Sequence, residues 1–175
     1  SMDSIQLHGR VSIFQEDDKG NREYIIDNRK NHFVNAMLKG LTSYFCGLTL
    51  SSSNCWAYDA FIVLGSDVLT PTTFDMSALF IPIGGGIGTA PNTTGGDGIT
   101  TDGNGNYKMD FFSTWNAGTV SGRVGELGLY LRPFTVLTPQ WNSANAPGQA
   151  LCSRLAVADG AFDEFEIDTS RSLTV

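Results

Sequence analysis

The residues best suited to chemistry lie in one short stretch. Asp102-Gly103-Asn104-Gly105-Asn106, with Asp110 beyond, sets oxygen-bearing side chains at alternating positions. Calcium loops use that spacing because alternate side chains of a tight turn converge on a hard cation. Here the sixth position, which should be glycine, is Tyr107, and the closing bidentate glutamate is replaced by Ser113. An Asn-Gly hairpin turn explains the same residues without a metal. Turn chemistry is therefore the expected role of Asp102, Asn104, Asn106 and Asp110, with calcium as the alternative and no metal or cofactor otherwise implied.

Other stretches are chemically poorer. Gly84-Gly85-Gly86-Ile87-Gly88-Thr89 resembles a phosphate loop only in its glycines. It lacks the Gly-Lys-Ser/Thr ending, puts Thr89 where a dinucleotide fingerprint needs glycine, and leads into no helix that could hold an anion. Asp163, Glu164, Glu166 and Asp168 could suggest a glycosidase pair. However, Glu164, Glu166 and Asp168 fall on one face of a strand, the ordinary pattern of a solvated edge. The two histidines, His8 and His32, stand in no known spacing to a nucleophile, and no hydrolase or metalloprotease motif occurs. No catalytic residue is assigned, and the chain is expected not to be an enzyme.

Composition narrows the partners. Hydrophobic residues make up 41% of the 175 residues and charged residues 17%, which is enough for a core and too polar for a membrane protein. The net charge is −7 and the 11 Lys and Arg are scattered, so the basic stripe of a nucleic-acid binder is missing. No apolar run approaches membrane-spanning length, and no signal-peptide pattern opens the chain. Cys46, Cys55 and Cys152 form no metal-ligand spacing, and an odd count argues against a closed disulfide framework. Cys46 and Cys55 could pair in an oxidising compartment, but reduced thiols are expected.

The elements that position these residues read as mainly β. Alternating apolar residues from Ile5 to Ile13 predict a strand, Asp17-Asp18-Lys19-Gly20-Asn21 a turn, and Glu23-Tyr24-Ile25-Ile26 its hairpin partner. Further strands are expected over 58–64, 78–83, 107–115, 124–132, 151–158, 162–167 and 173–175. One amphipathic α-helix is expected over about 32–45, with Phe33, Val34, Met37, Leu38, Leu41, Tyr44 and Phe45 as its apolar stripe, Asn31 as N-cap and Gly47 as stop. The expected architecture is an antiparallel β-sandwich or jelly roll in one domain over 3–175. Ser1-Met2 reads as a tag remnant, and the break-off at Leu173-Thr174-Val175 reads as the loss of a final strand.

Two long loops invite a contact role. The glycine-rich stretch 84–106 offers Asn92, Thr93, Asp97 and Asn104, and the stretch 134–149 offers Trp141 among small polar residues. Of the tryptophans, Trp115 ends an apolar strand and is expected in the core. Trp141 is the candidate platform for stacking on a sugar.

In chain order, several segments resemble a diffuse class of structural proteins of tailed bacteriophages and prophages. They are Gly9-Arg10-Val11, His32-Phe33-Val34-Asn35, Ile62-Val63-Leu64-Gly65-Ser66-Asp67-Val68-Leu69-Thr70-Pro71-Thr72, Gly125-Glu126-Leu127-Gly128-Leu129-Tyr130 and Cys152-Ser153-Arg154-Leu155-Ala156-Val157-Ala158-Asp159-Gly160. The resemblance implies a tail, collar or fibre component that resides in the virion. It also implies a homo-oligomer, trimers included, contacting other virion proteins, with a host surface glycan as a further partner of an adhesin. A carbohydrate-binding module, with or without calcium, is the alternative. Within these motifs, Gly125 and Gly128 should mark close packing, and Glu126, alternating with Leu127, should face solvent or a neighbouring subunit.

Overall fold

The computed structural model describes residues 6–38, 56–84, 99–101, 103–133 and 150–175. The protein is mainly β. In chain order the strands begin with β1 (Arg10–Glu16), β2 (Arg22–Lys30), β3 (His32–Phe33), β4 (Trp56–Gly65) and β5 (Pro82–Gly84). They continue with β6 (Ile99–Thr101), β7 (Tyr107–Met109), β8 (Thr114–Trp115), β9 (Arg123–Val124) and β10 (Glu126–Pro133). Last come β11 (Ala150–Ala156), β12 (Phe165–Glu166) and β13 (Ser172–Thr174). All pairings are antiparallel. One sheet has the order β2-β1-β13-β8, a second β3-β11-β10-β4-β5, and β12-β9 and β6-β7 form two-stranded ribbons.

The opening hairpin follows from its turn residues. Asp17 accepts hydrogen bonds from the backbone N–H groups of Lys19 and Asn21, both at 2.9 Å, and from the Asn21 side chain at 2.8 Å. Gly20 supplies the left-handed φ of +82°. The Asn21 side chain, then its backbone N–H, holds the Asp17 carboxyl below the usual carboxylate range. Further along, β2 bulges. The register jumps between Val11 and Ile13, Asn28 adopts φ +52°, and its N–H donates to Ser12 Oγ at 2.9 Å.

The two main sheets share one core. Ile13, Ile26, Trp115 and Leu173 from the first pack in a single cluster with Ile62, Leu64, Leu127 and Leu155 from the second. The second sheet is also covered on its other face, where Val34, Val63, Leu79, Tyr130 and Leu151 form a smaller cluster with Met76 packed against it. Leu79 and Met76 belong to the segment between β4 and β5, so residues 66–81 lie over that face as a third layer. This explains why Ile62-Val63-Leu64 is apolar without alternation: the strand is buried on both sides.

Glycines make the close approaches possible. A Cβ on Gly125 would lie 2.6 Å from the backbone oxygen of Asp67, and one on Gly128 would lie 2.7 Å from Leu151 Cδ1. Both positions thus serve close packing, as their place inside a strand suggested.

Several expectations are corrected in detail. The helix does not begin at His32: His32 and Phe33 form β3 and pair with Arg154 and Ser153 of β11. Helical structure starts at Asn35 and is described to Leu38, while 39–55 lie outside the described residues. Asn31 is accordingly no N-cap; its side chain donates to Ser153 Oγ at 2.9 Å. The strand expected over 107–115 is split between β7 and β8, and that over 124–132 is interrupted at Gly125. The strand expected over 78–83 shortens to β5, and the one over 162–167 shortens to Phe165–Glu166. After β11 the chain turns through a 3-10 helix, Val157–Asp159, ended by Gly160 at φ +69°.

Candidate protein-contact surface

Two charged residues stand inside otherwise apolar strands, Glu126 in β10 and Arg154 in β11. Alternation puts Leu127 and Leu155 into the shared core and turns Glu126 and Arg154 to the opposite face. That face carries the 66–81 layer, so neither residue meets water: both are 0% exposed. Glu126 therefore does not face solvent or a neighbouring subunit, as its alternation had suggested. It is buried because the sheet has a second cover. Room for it comes from its cross-strand partner Gly65, where a Cβ would fall 2.5 Å from Glu126 Oε1.

Arg154 is the centre of a buried network. Its Nε donates to Glu126 Oε2 at 2.9 Å, and its Nη2 lies 2.8 Å from the same oxygen and 3.3 Å from Asp67 Oδ2. Its Nη1 donates to the Thr70 carbonyl at 2.7 Å and to Thr72 Oγ1 at 3.1 Å. One guanidinium thus faces two buried carboxylates. Removing an ion from water costs several kcal/mol even after relaxation, so the second negative charge needs further compensation. Backbone N–H groups of the loop supply it. Asp67 accepts from Leu69 N at 3.3 Å and Thr70 N at 3.0 Å, and Glu126 Oε1 accepts from Ile81 N at 2.9 Å.

Additional ties fix the rest of the loop. Asp159 accepts from Thr72 N at 2.8 Å and from Thr72 Oγ1 at 2.5 Å. The Tyr130 hydroxyl accepts from Leu79 N at 2.7 Å, and burial pushes that phenol's pKa up. Ser66 N donates to Ile81 O at 2.8 Å, closing the loop at its base, and Asn35 N donates to Phe74 O at 2.6 Å. The loop cannot lift off without stranding buried charge.

What this fixed backbone displays is apolar. Leu69 is 83% exposed, Phe80 57%, Phe74 56% and Ile81 52%. Single exposed apolar residues are ordinary, but four large ones between Leu69 and Ile81 are not. Between Ser66 and Pro82 the only charged residues are Asp67, which is buried, and Asp75. In a chain of net charge −7 this segment is almost free of exposed charge. Such a surface suits contact with another protein: the apolar groups are held in place, so little entropy is lost on binding.

Burial alone would raise the Asp67 pKa, yet hydrogen bonds from Thr70 and Leu69 and the charge of Arg154 hold it below its ordinary 3.8. A depressed carboxylate stabilises the fold above its unfolded pKa, and that contribution is lost as pH falls through the folded value. Asp67→Asn is therefore expected to be less stable at pH 7 and to lose less stability than the parent between about pH 5 and 2. Urea titrations across that range measure both slopes, and parallel slopes would refute the assignment.

The residues singled out from the sequence are placed as follows. Trp141, Asn92, Thr93, Asp97 and Asp102 lie outside the described residues, as do Cys46 and Cys55. Asn104 and Asn106 are exposed in the turn of the β6-β7 hairpin, closed by the pair Thr101 and Tyr107. Asp110 is exposed and paired with Lys108 at 2.8 Å. Among the described residues no group of three or more His, Cys, Asp or Glu side chains could hold a metal ion. Trp115 is buried in the core. Glu164 and Glu166 are exposed and share Arg123, at 3.4 and 3.1 Å, on a solvated face. Cys152 is buried, and His8 and His32 are exposed.

The 66–81 loop is not among the segments that the sequence marks as contact surfaces. The signal for it was present in Arg154, Glu126 and Asp67, three charges set in strongly apolar strand sequence or at its end. No family model matches this chain, and no curated protein or solved structure is significantly similar to it.

Proposed function

We propose that this chain is an assembly component of a tailed-phage particle, a tail, collar or fibre part that acts by protein–protein contact and not by catalysis. The observation that carries the reading is the 66–81 loop, whose backbone is pinned from below while Leu69, Phe74, Phe80 and Ile81 stand in solvent. The motifs behind the phage resemblance bear on the same loop. The Gly65–Thr72 segment supplies Asp67, Thr70 and Thr72, the Gly125–Tyr130 segment supplies Glu126 and Tyr130, and the Cys152–Gly160 segment supplies Arg154 and Asp159. Segments far apart in sequence thus serve one purpose, the presentation of a fixed apolar edge. The partners fitting it are further copies of the chain and other virion proteins.

The double variant Phe80→Ser with Ile81→Ser tests this. Exposed substitutions shift stability by only about 0.5 kcal/mol, so the melting temperature should hold. Light scattering after size exclusion should show the parent self-associating, or bound to a partner recovered from purified particles, and the variant having lost that contact. A parent that stays strictly monomeric and joins no particle protein would overturn the proposal.

A further inference from the structure

We infer that Asn104 is a site of spontaneous modification, converting to aspartate and isoaspartate in the folded protein. The chain has one Asn-Gly pair, Asn104-Gly105, and the fold places it at the solvent-exposed turn between β6 and β7. Gly103 and Gly105 both take positive φ, +78° and +85°, and a Cβ at either would meet nothing within 4 Å. Residues 103–106 are exposed, and no side chain on residue 105 screens its own amide.

The chemistry balances with water as the only co-reactant. Hydroxide removes the proton from the Gly105 backbone nitrogen. That nitrogen attacks Asn104 Cγ, the new C–N bond closes a five-membered imide, and the Cγ–Nδ2 bond breaks to release ammonia. Water then opens the ring at either carbonyl. One opening yields aspartate. The other yields isoaspartate, which carries the main chain through the side-chain carbon and lengthens the turn. Either product gains one negative charge on a chain that already bears −7. Elsewhere in the described chain the asparagines precede bulkier residues, as in Asn21-Arg22, Asn31-His32 and Asn116-Ala117, where a side chain hinders the same attack.

The test is incubation of the intact, folded protein at mildly alkaline pH, followed by isoelectric focusing and peptide mapping with fragmentation that separates aspartate from isoaspartate. The expected result is a more acidic species whose altered residue is Asn104, forming faster as pH rises. Gly105→Ala should slow it. Asn104→Gln, which keeps an amide but would need a larger ring, should abolish the early acidic species and covers the case in which the alanine variant folds poorly. The inference is overturned if another asparagine reacts first, or if Asn104 reacts only when urea unfolds the chain.

Discussion

Replacing Arg154 with methionine is expected to destabilise the protein by about 3–5 kcal/mol, the usual consequence of breaking a buried ion pair from one side. Methionine fills much of the volume, so the loss is electrostatic. Glu126, 0% exposed, and Asp67, 6% exposed, would be left buried with no cation between them. Arg154→Lys should rescue little, because the guanidinium serves Glu126, Asp67, Thr70 O and Thr72 Oγ1 from three separate nitrogens, and an ammonium cannot reproduce that fork. Adding Glu126→Leu to Arg154→Met should recover much of the stability, since well-packed apolar replacements of buried ion pairs are often neutral or better. It should not recover the loop. Ile81 N and Thr70 O would still lack their partners, and hydrogen exchange over 66–81 should stay faster than in the parent. Chemical denaturation combined with exchange separates the two effects. Equal loop protection in parent and double variant would show that the network stabilises without positioning.

Trp115 gives the second large effect, with a reversal built in. Trp115→Ala should cost about 3–5 kcal/mol by opening a cavity between the two sheets, where the indole packs with Leu173, Ile13 and Leu155. Trp115→Phe should cost far less. The indole Nε1 is buried without a hydrogen-bond partner among the described residues, and an unsatisfied buried donor carries a penalty of about 1–3 kcal/mol. Phenylalanine removes that donor while keeping much of the apolar area, so the two terms should cancel to within about 1 kcal/mol. Urea unfolding followed by circular dichroism measures both variants. A phenylalanine variant as unstable as the alanine one would mean that the indole nitrogen carries no penalty.

The sequence was most legible where a strand has one wet face or a turn has its own chemistry. The β1-β2 hairpin could be read from alternation and from Asp17 to Asn21, and β11 from its apolar run. What could not be read depends on covers supplied from far away. Glu126 looked solvated because alternation says only which face a side chain takes, not whether that face meets water. The cover arrives from residues 66–81, and its anchor Arg154 lies 82 to 87 positions from the groups it binds there. Helical periodicity from Phe33 onward concealed β3, since Phe33 and Val34 are apolar in either arrangement and the pairing with β11 decided between them. The Gly65–Thr72 segment could be recognised as a unit, but nothing local revealed that its exposed neighbours would be held still.

One consequence of the bulge at Asn28 concerns what the protein avoids. β2 runs nine residues along the edge of its sheet, long enough to template the addition of a foreign strand. The left-handed residue breaks the straight run of N–H and C=O groups, and Arg22, Glu23, Asp27, Arg29 and Lys30 crowd it with charge. A chain concentrated enough to assemble through one face is at risk of stacking through its sheet margins into fibres. The kink makes that margin a poor template for open-ended growth.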